Sequence, residues 1–318
     1  MPILNRGLWH WLEESVRALA KADTGEPPTQ VLRIGVITSP LGAEDTPALR
    51  FLILHLNTLQ QSFQFELFPG MPSNPLLRKL ASRILVDRDD ARARMAAFVE
   101  QIKADIKRRN EDFQKHSPQL PLEAPPEKFV ILSMTRFHDN FYSARVPDEA
   151  PVCAIIALGN WKRSMAPPTI VEFFLVLLLR QAVALASPSL SGSVHLGTKG
   201  CLFDLGEDLS DTRYKVLGGF VCDYCAKALS RDGHPALRQE LTTILAKAWF
   251  GSPDKPSVVA SIASNLGHNL FITKGLKPNF WESIRSTFRQ ETVKQLLTVL
   301  GTVLASALIF YLGFRSAH

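Results

Sequence analysis

The stretch HLGTKGCLFDLGEDLSDTRYKVLGGFVCDYC, residues 195–225, gathers one histidine and three of the chain's four cysteines into thirty-one positions. One imidazole and three thiolates suit a closed tetrahedral zinc site, so a fold that uses them must bring His195, Cys201, Cys222 and Cys225 to one point. Cys222 and Cys225, three apart on a tight turn, can direct both sulfurs at one ion. The spacing leaves three readings, with structural zinc ranked first. The others are thiols packed without metal and a redox pair, which would be expected alone at a helix N-terminus after a strand. Cys153 lies inside an apolar run and reads as a small core residue.

The 318 residues and 46 % hydrophobic content allow one large domain or two ordinary ones. The net charge of +6 and pI near 9.2 raise the question of nucleic acid. The basic residues are dispersed apart from 103–109 and a scatter over 274–294, which argues for a solvated helix face and a juxtamembrane segment and against a nucleic-acid partner. Few cysteines and no signal peptide point to a reducing compartment. Residues 1–30 begin with an amphipathic helical pattern.

Residues 295–314, QLLTVLGTVLASALIFYLGF, carry no charge, and twenty helical residues span about 30 Å. They predict a transmembrane helix over 294–315, a single-pass tail anchor with the lipid bilayer as partner. Lys274, Lys277, Arg285, Arg289 and Lys294 precede it and Arg315 follows, a bias that puts the N-terminal domain in the cytoplasm. Gly301 and Ala305 form a small-xxx-small pair that would suit a homo-oligomer through this helix.

Between the ends, strands are expected at 31–39, 63–70, 129–137 and 151–159, from apolar β-branched runs closed by turn residues. Helices are expected at 43–62, throughout 75–113 with a break or solvent face at the charged segment 86–98, and at 169–186. The last of these, TIVEFFLVLLLRQAVALA, opens on Thr169 as N-cap and carries Glu172 and Arg180, so it reads as a core helix of an α/β fold. Further helices are expected at 214–231, 235–250 and 256–266. The domain plan is 1–30 as an N-terminal helix, 31–232 as an α/β domain with the cysteine loop, 233–293 as a helical juxtamembrane region, and the span. Residues 204–213, rich in acids, read as a solvated loop.

The order of these parts resembles the archaemetzincins, zinc metallopeptidases marked by H-E-x-x-H-x-x-G-x-x-H-C followed by C-M and C-x-x-C. His195-Leu196, four residues, Cys201-Leu202, nineteen residues, and Cys222-x-x-Cys225 follow that pattern. The resemblance implies a metzincin-like mixed sheet with a long active-site-type helix running into the cysteine loop. It places the family's first histidine on Leu185, its catalytic glutamate on Ala186, its second histidine on Ser189, its glycine on Gly192 and its third histidine on His195. Metal-assisted hydrolysis needs three protein ligands and a base, so with Leu185, Ala186 and Ser189 in place the expectation is a catalytically inactive metallopeptidase-like chain. The resemblance also puts Leu196 at the first cysteine of the structural site, which leaves His195 to complete a zinc set with Cys201, Cys222 and Cys225. Asp204 and Asp223 are harder alternatives for that place.

The expected function is a membrane-anchored binding, sensing or scaffold module with a protein or peptide partner. Two alternatives stand beside it: a membrane-perturbing effector activated by oligomerisation, and a hydrolase with a rearranged metal site using His138, Asp139 or Glu172.

Overall fold

The computed structural model describes residues 31–315 apart from 40–45, 72, 83–84, 118–123, 147–150, 192–194, 197–199 and 207, without the side chains of 289–297 and 312–315. The expected N-terminal helix of residues 1–30 and the family-pattern Gly192 lie outside the described residues.

Strand β1 (Leu32–Thr38) leads through α1 (Pro47–Leu59) to β2 (Phe63–Phe68). Helices α2 (Pro75–Ala81) and α3 (Arg88–His116) follow, then β3 (Lys128–Ser133), β4 (Ser143–Arg145) and β5 (Cys153–Ala157). The sheet order is β2-β1-β3-β5-β4, with β4 antiparallel to β5 and the other pairs parallel. The fold is thus mixed α/β around a five-stranded mixed sheet.

Strand alternation divides the core. Ile34, Val36, Val130, Leu132, Ala154 and Ile156 pack on one face, while Ile37, Phe129, Ile131, Cys153 and Ile155 pack on the other against α2 and α3. Near-continuous apolar strands are what a parallel sheet covered on both faces requires. Gly35 belongs to this packing, because a Cβ there would come within 2.5 Å of the Phe129 ring.

Helix α4 (Ile170–Ala186) is buried nearly all round, which explains its sequence, and opens with a capping box between Thr169 and Glu172. Glu172 also pairs with Lys247 at 2.8 Å. The short α5 (Pro188–Ser191) comes next, followed by α6 (Leu209–Gly218), α7 (Asp223–Arg231), α8 (Leu237–Leu245) and α9 (Val258–Asn265). The chain ends in α10 (Phe280–Arg315).

Several expectations are refined or corrected. The break expected in 75–113 is present but sits at the very start of the charged segment, between Ala81 and Arg88, because Ser82 closes α2 and the Asp87 carboxylate caps α3, and residues 88–98 are helical. The acidic segment 204–213 is not a solvated loop: Asp204 is buried and Asp208 caps α6. The transmembrane helix is also corrected. Among the described residues no helix is long and apolar enough to cross a membrane, which overturns the single-pass span and the placement derived from it. The uncharged run is no separate element but the later part of a helix begun fifteen residues earlier. Glu282 and Arg285 lie in its first part. The bilayer partner and the pairing through Gly301 and Ala305 had rested on that span.

At its start α10 is fastened to the domain. Asn279 and Glu282 cap each other's backbone N–H groups at 2.7 and 2.9 Å, and Glu282 receives Arg163 Nη1 at 2.5 Å.

Candidate metal centre

The cluster is assembled by two short bridges and one helix start. His195 bridges to Asp204, with Leu205 N–H donating to the His195 carbonyl at 3.0 Å, and Cys201 bridges to Phe220. Cys222 is the N-cap residue of α7, and Cys225 lies in its first turn, facing the core. A helix start presents the two sulfurs of a C-x-x-C pair on one side, which is why the spacing works here.

Among the described residues His195, Cys201, Cys222 and Cys225 form the one group of three or more His, Cys, Asp or Glu side chains able to hold a metal ion. Their ligand atoms all lie within 4.8 Å of one another. His195 Nε2 stands 3.1 Å from Cys225 Sγ and 3.5 Å from Cys222 Sγ, and Cys201 Sγ stands 3.8 Å from Cys225 Sγ. All four cysteines of the chain are free thiols. Cys201 and Cys225 are buried and His195 and Cys222 half-buried, with the Tyr224 ring edge-on to the imidazole at 6.1 Å.

Asp204 organises the site from behind. Its Oδ1 lies 2.7 Å from His195 Nδ1, and its Oδ2 accepts the backbone N–H groups of Gly200 at 2.7 Å and Cys201 at 3.0 Å. A carboxylate on Nδ1 fixes the proton there and leaves the Nε2 lone pair facing the sulfurs, an arrangement common behind metal-bound histidines. Sequence reading treated Asp204 as a substitute ligand; the structure makes it the support of one. Asp223, the other substitute, is exposed and pairs with Arg238 at 2.7 Å.

The contact with Cys225 Sγ, against the opposing effect of burial, draws the Cys201 thiol down to about 5, helped by the backbone N–H of Cys222. Cys225 moves upward, through the same contact with Cys201 and then through burial. The cluster therefore favours a thiolate, the form that binds metal. Cys153 is far from it in role: fully buried in β5, its thiol is pushed up to about 12 by desolvation.

The residues aligned with the family's catalytic motif are occupied elsewhere. Leu185 is buried in the core at the end of α4. Ser189 donates both its backbone N–H and its hydroxyl to the Asp232 carboxylate, at 3.0 and 2.7 Å, and Ser187 Oγ bonds the same group. Asp232 follows α7, so the helix that bears Cys225 also braces the end of α4. No signal in the sequence pointed to this acid. His138 and Asp139 are exposed, with Asp139 paired to Arg88 at 2.6 Å, and Glu172 serves as a cap, so these three do not converge.

Comparisons with family models, curated proteins and solved structures return no match.

Proposed function

We propose that the chain is a non-enzymatic binding or scaffold module on a catalytically degenerate, archaemetzincin-like fold, with one structural zinc held by His195, Cys201, Cys222 and Cys225. The observation that carries the metal is the cluster's shape. Zn–S bonds of about 2.3 Å and Zn–N bonds of about 2.0 Å at tetrahedral angles put sulfurs about 3.8 Å apart and sulfur and nitrogen about 3.5 Å apart. Three of the six separations, 3.8, 3.5 and 3.1 Å, lie close to those edges, and all four ligand atoms lie within 4.8 Å of one another.

Four protein ligands fill a tetrahedron and leave no position for a water nucleophile, so this zinc would fasten the 195–222 loop to α7 and perform no hydrolysis. The mixed sheet and the long helix leading into the cysteine loop support the family reading. At the positions of the family's first histidine, glutamate and second histidine, Leu185 and Ala186 offer no ligand or base and Ser189 is bound to Asp232.

Metal analysis of the purified full chain tests the proposal. One zinc per chain, lost in Cys222→Ser and retained in His138→Ala, is the expected result, together with no cleavage of unfolded casein. A second metal that survives Cys222→Ser, or metal-dependent cleavage, would return the chain to the hydrolases.

A further inference from the structure

Residues 267–279 form a strap between α9 and α10. Gly267, at φ 90°, turns the chain out of α9, and the His268 N–H donates to the Ala263 carbonyl at 3.0 Å. Further along, the Lys274 carbonyl accepts the Ile170 N–H of α4 at 3.1 Å, and the Lys277 carbonyl accepts Arg163 Nη2 at 2.8 Å. The strap thus fastens the root of α10 to the first turn of α4 and to the turn Arg163–Met165. His268 is its buried side chain. The residue is 2 % exposed, and neither ring nitrogen makes a hydrogen bond.

Two carboxylates act on the imidazole, Glu172 of α4 and Glu282 of α10, and both are already engaged. Glu172 holds Lys247 at 2.8 Å and the Thr169 N–H at 2.6 Å, and Glu282 holds Arg163 at 2.5 Å and the Asn279 N–H at 2.9 Å. No side chain of α9 titrates, and the strap's own charges, Lys274 and Lys277, are exposed. Burial outweighs the two acids and the Leu276 carbonyl, which favour the charged ring, and holds the imidazole down to about 4. At neutral pH His268 is therefore an uncharged side chain in the core.

We propose that His268 makes the strap an acid-sensitive latch, which holds the root of α10 against α4 while the imidazole is neutral and opens residues 267–279 when the ring takes up a proton. The neutral ring already leaves two polar atoms unsatisfied in the core. A proton adds a charge there, while the two acids near it are held by Lys247 and Arg163, so opening is the route that returns the ring to water. Linkage gives the direction. In the open strap the ring titrates near its ordinary value of about 6.5, above its closed value, so the open form binds more protons and gains as pH falls. Above about 6.5 the balance is constant; below it the open fraction rises about ten-fold per pH unit, until the closed form is protonated as well near 4. Past the latch α10 presents largely exposed apolar side chains, among them Val303, Leu304, Ile309 and Phe310, so opening frees the end by which that surface is held.

The test is hydrogen exchange of the full chain at pH 7.5 and at pH 5, corrected for the intrinsic pH dependence of exchange. Residues 267–284 are expected to lose about 30-fold in protection at the lower pH while β1 and β3 keep theirs. His268→Gln, whose amide takes up no proton, should show the same protection in that segment at both values. Protection that does not fall with pH overturns the proposal, as does an equal fall in wild type and variant, or a loss confined to 200–231, which would report the cysteine cluster alone. An NMR titration of the wild-type imidazoles reads the ring directly and does not depend on how the variant folds. A His268 midpoint below the ordinary value, reached together with opening of the strap, is expected; a ring protonated near pH 6.5 under a strap that stays protected overturns the latch.

Discussion

Asp232 carries more of the structure than its place in a surface turn suggests. It accepts from Ser187 Oγ, Ser189 N and Ser189 Oγ, and so closes α4 where the resembled family would carry its second zinc histidine. Burial pushes the Asp232 carboxyl upward, but the bonds from Ser187 and Ser189 outweigh it and hold the group below its ordinary range. A carboxylate with a depressed folded pKa contributes stability that is present above the unfolded value near pH 3.9 and lost as pH falls through the folded value. Asp232→Ala is therefore expected to lower unfolding free energy at pH 7 by about 1–3 kcal/mol, because it leaves the Ser189 N–H without its acceptor. In urea titrations the gap between variant and wild type should narrow below pH 4. A gap independent of pH would assign the loss to packing. At this scale the four members of the His/Cys cluster were legible because soft side chains cluster in sequence. Asp204 and Asp232 were not, because an acid's role depends on which distant N–H groups the fold turns toward it.

At the scale of elements, the edge strand β2 is protected by side chains of the helix and turn that precede it. Asn57 on α1 gives its amide N–H to the Phe65 carbonyl at 3.0 Å and receives the Phe65 N–H at 2.8 Å, as a neighbouring strand would. Gln60 does the same for Phe63, at 2.7 and 2.6 Å. An exposed edge is a template for pairing with another chain, and these two amides occupy the outward backbone groups of Phe63 and Phe65. Asn57→Leu keeps the bulk but leaves the Phe65 backbone pair unpartnered, so a loss of about 1–3 kcal/mol is expected in denaturant melts. Concentration-dependent light scattering should rise with it, and a variant as stable and monodisperse as wild type would show that the edge needs no such cover. The four parallel strands and α4 were readable from apolar runs and the Thr169 cap. β4 was missed because the three residues Ser143–Arg145 carry no alternation, and its place follows from pairing with β5. Helix 214–231 was expected as one element, but Gly218 and Gly219 divide it, so that Cys222 can begin α7.

Across the whole molecule, the two faces of the sheet differ in what holds them. The face covered by α2 and α3 is closed mainly by apolar packing, from Leu76 and Leu80 through Phe98 and Ile102 to Phe129 and Ile131, with Ser133 Oγ donating to the Leu80 carbonyl at 3.1 Å and a bridge between Val86 and Phe137. The opposite face joins α4 to α6 and α7 through Leu209, Val216, Cys225 and Leu229, and there the cysteine cluster gathers a loop whose described residues carry two isolated bridges. A ligand bound only by the folded form stabilises it by mass action, so stripping the metal should lower the melting temperature. The loss should be regional. In hydrogen exchange with and without a zinc chelator, residues 200–231 are expected to lose protection while β1, β3 and α3 keep theirs. Asp204→Asn offers an intermediate point, because a ligand histidine deprived of its carboxylate typically costs 10–100-fold in metal affinity. The variant should reach the chelated pattern at lower chelator concentration and show the wild-type pattern when zinc is restored in excess. Equal loss of protection in the α2–α3 layer would mean that the domain unfolds as one unit. No change anywhere would mean that the cluster packs as thiols and that its tetrahedral spacing serves no ion.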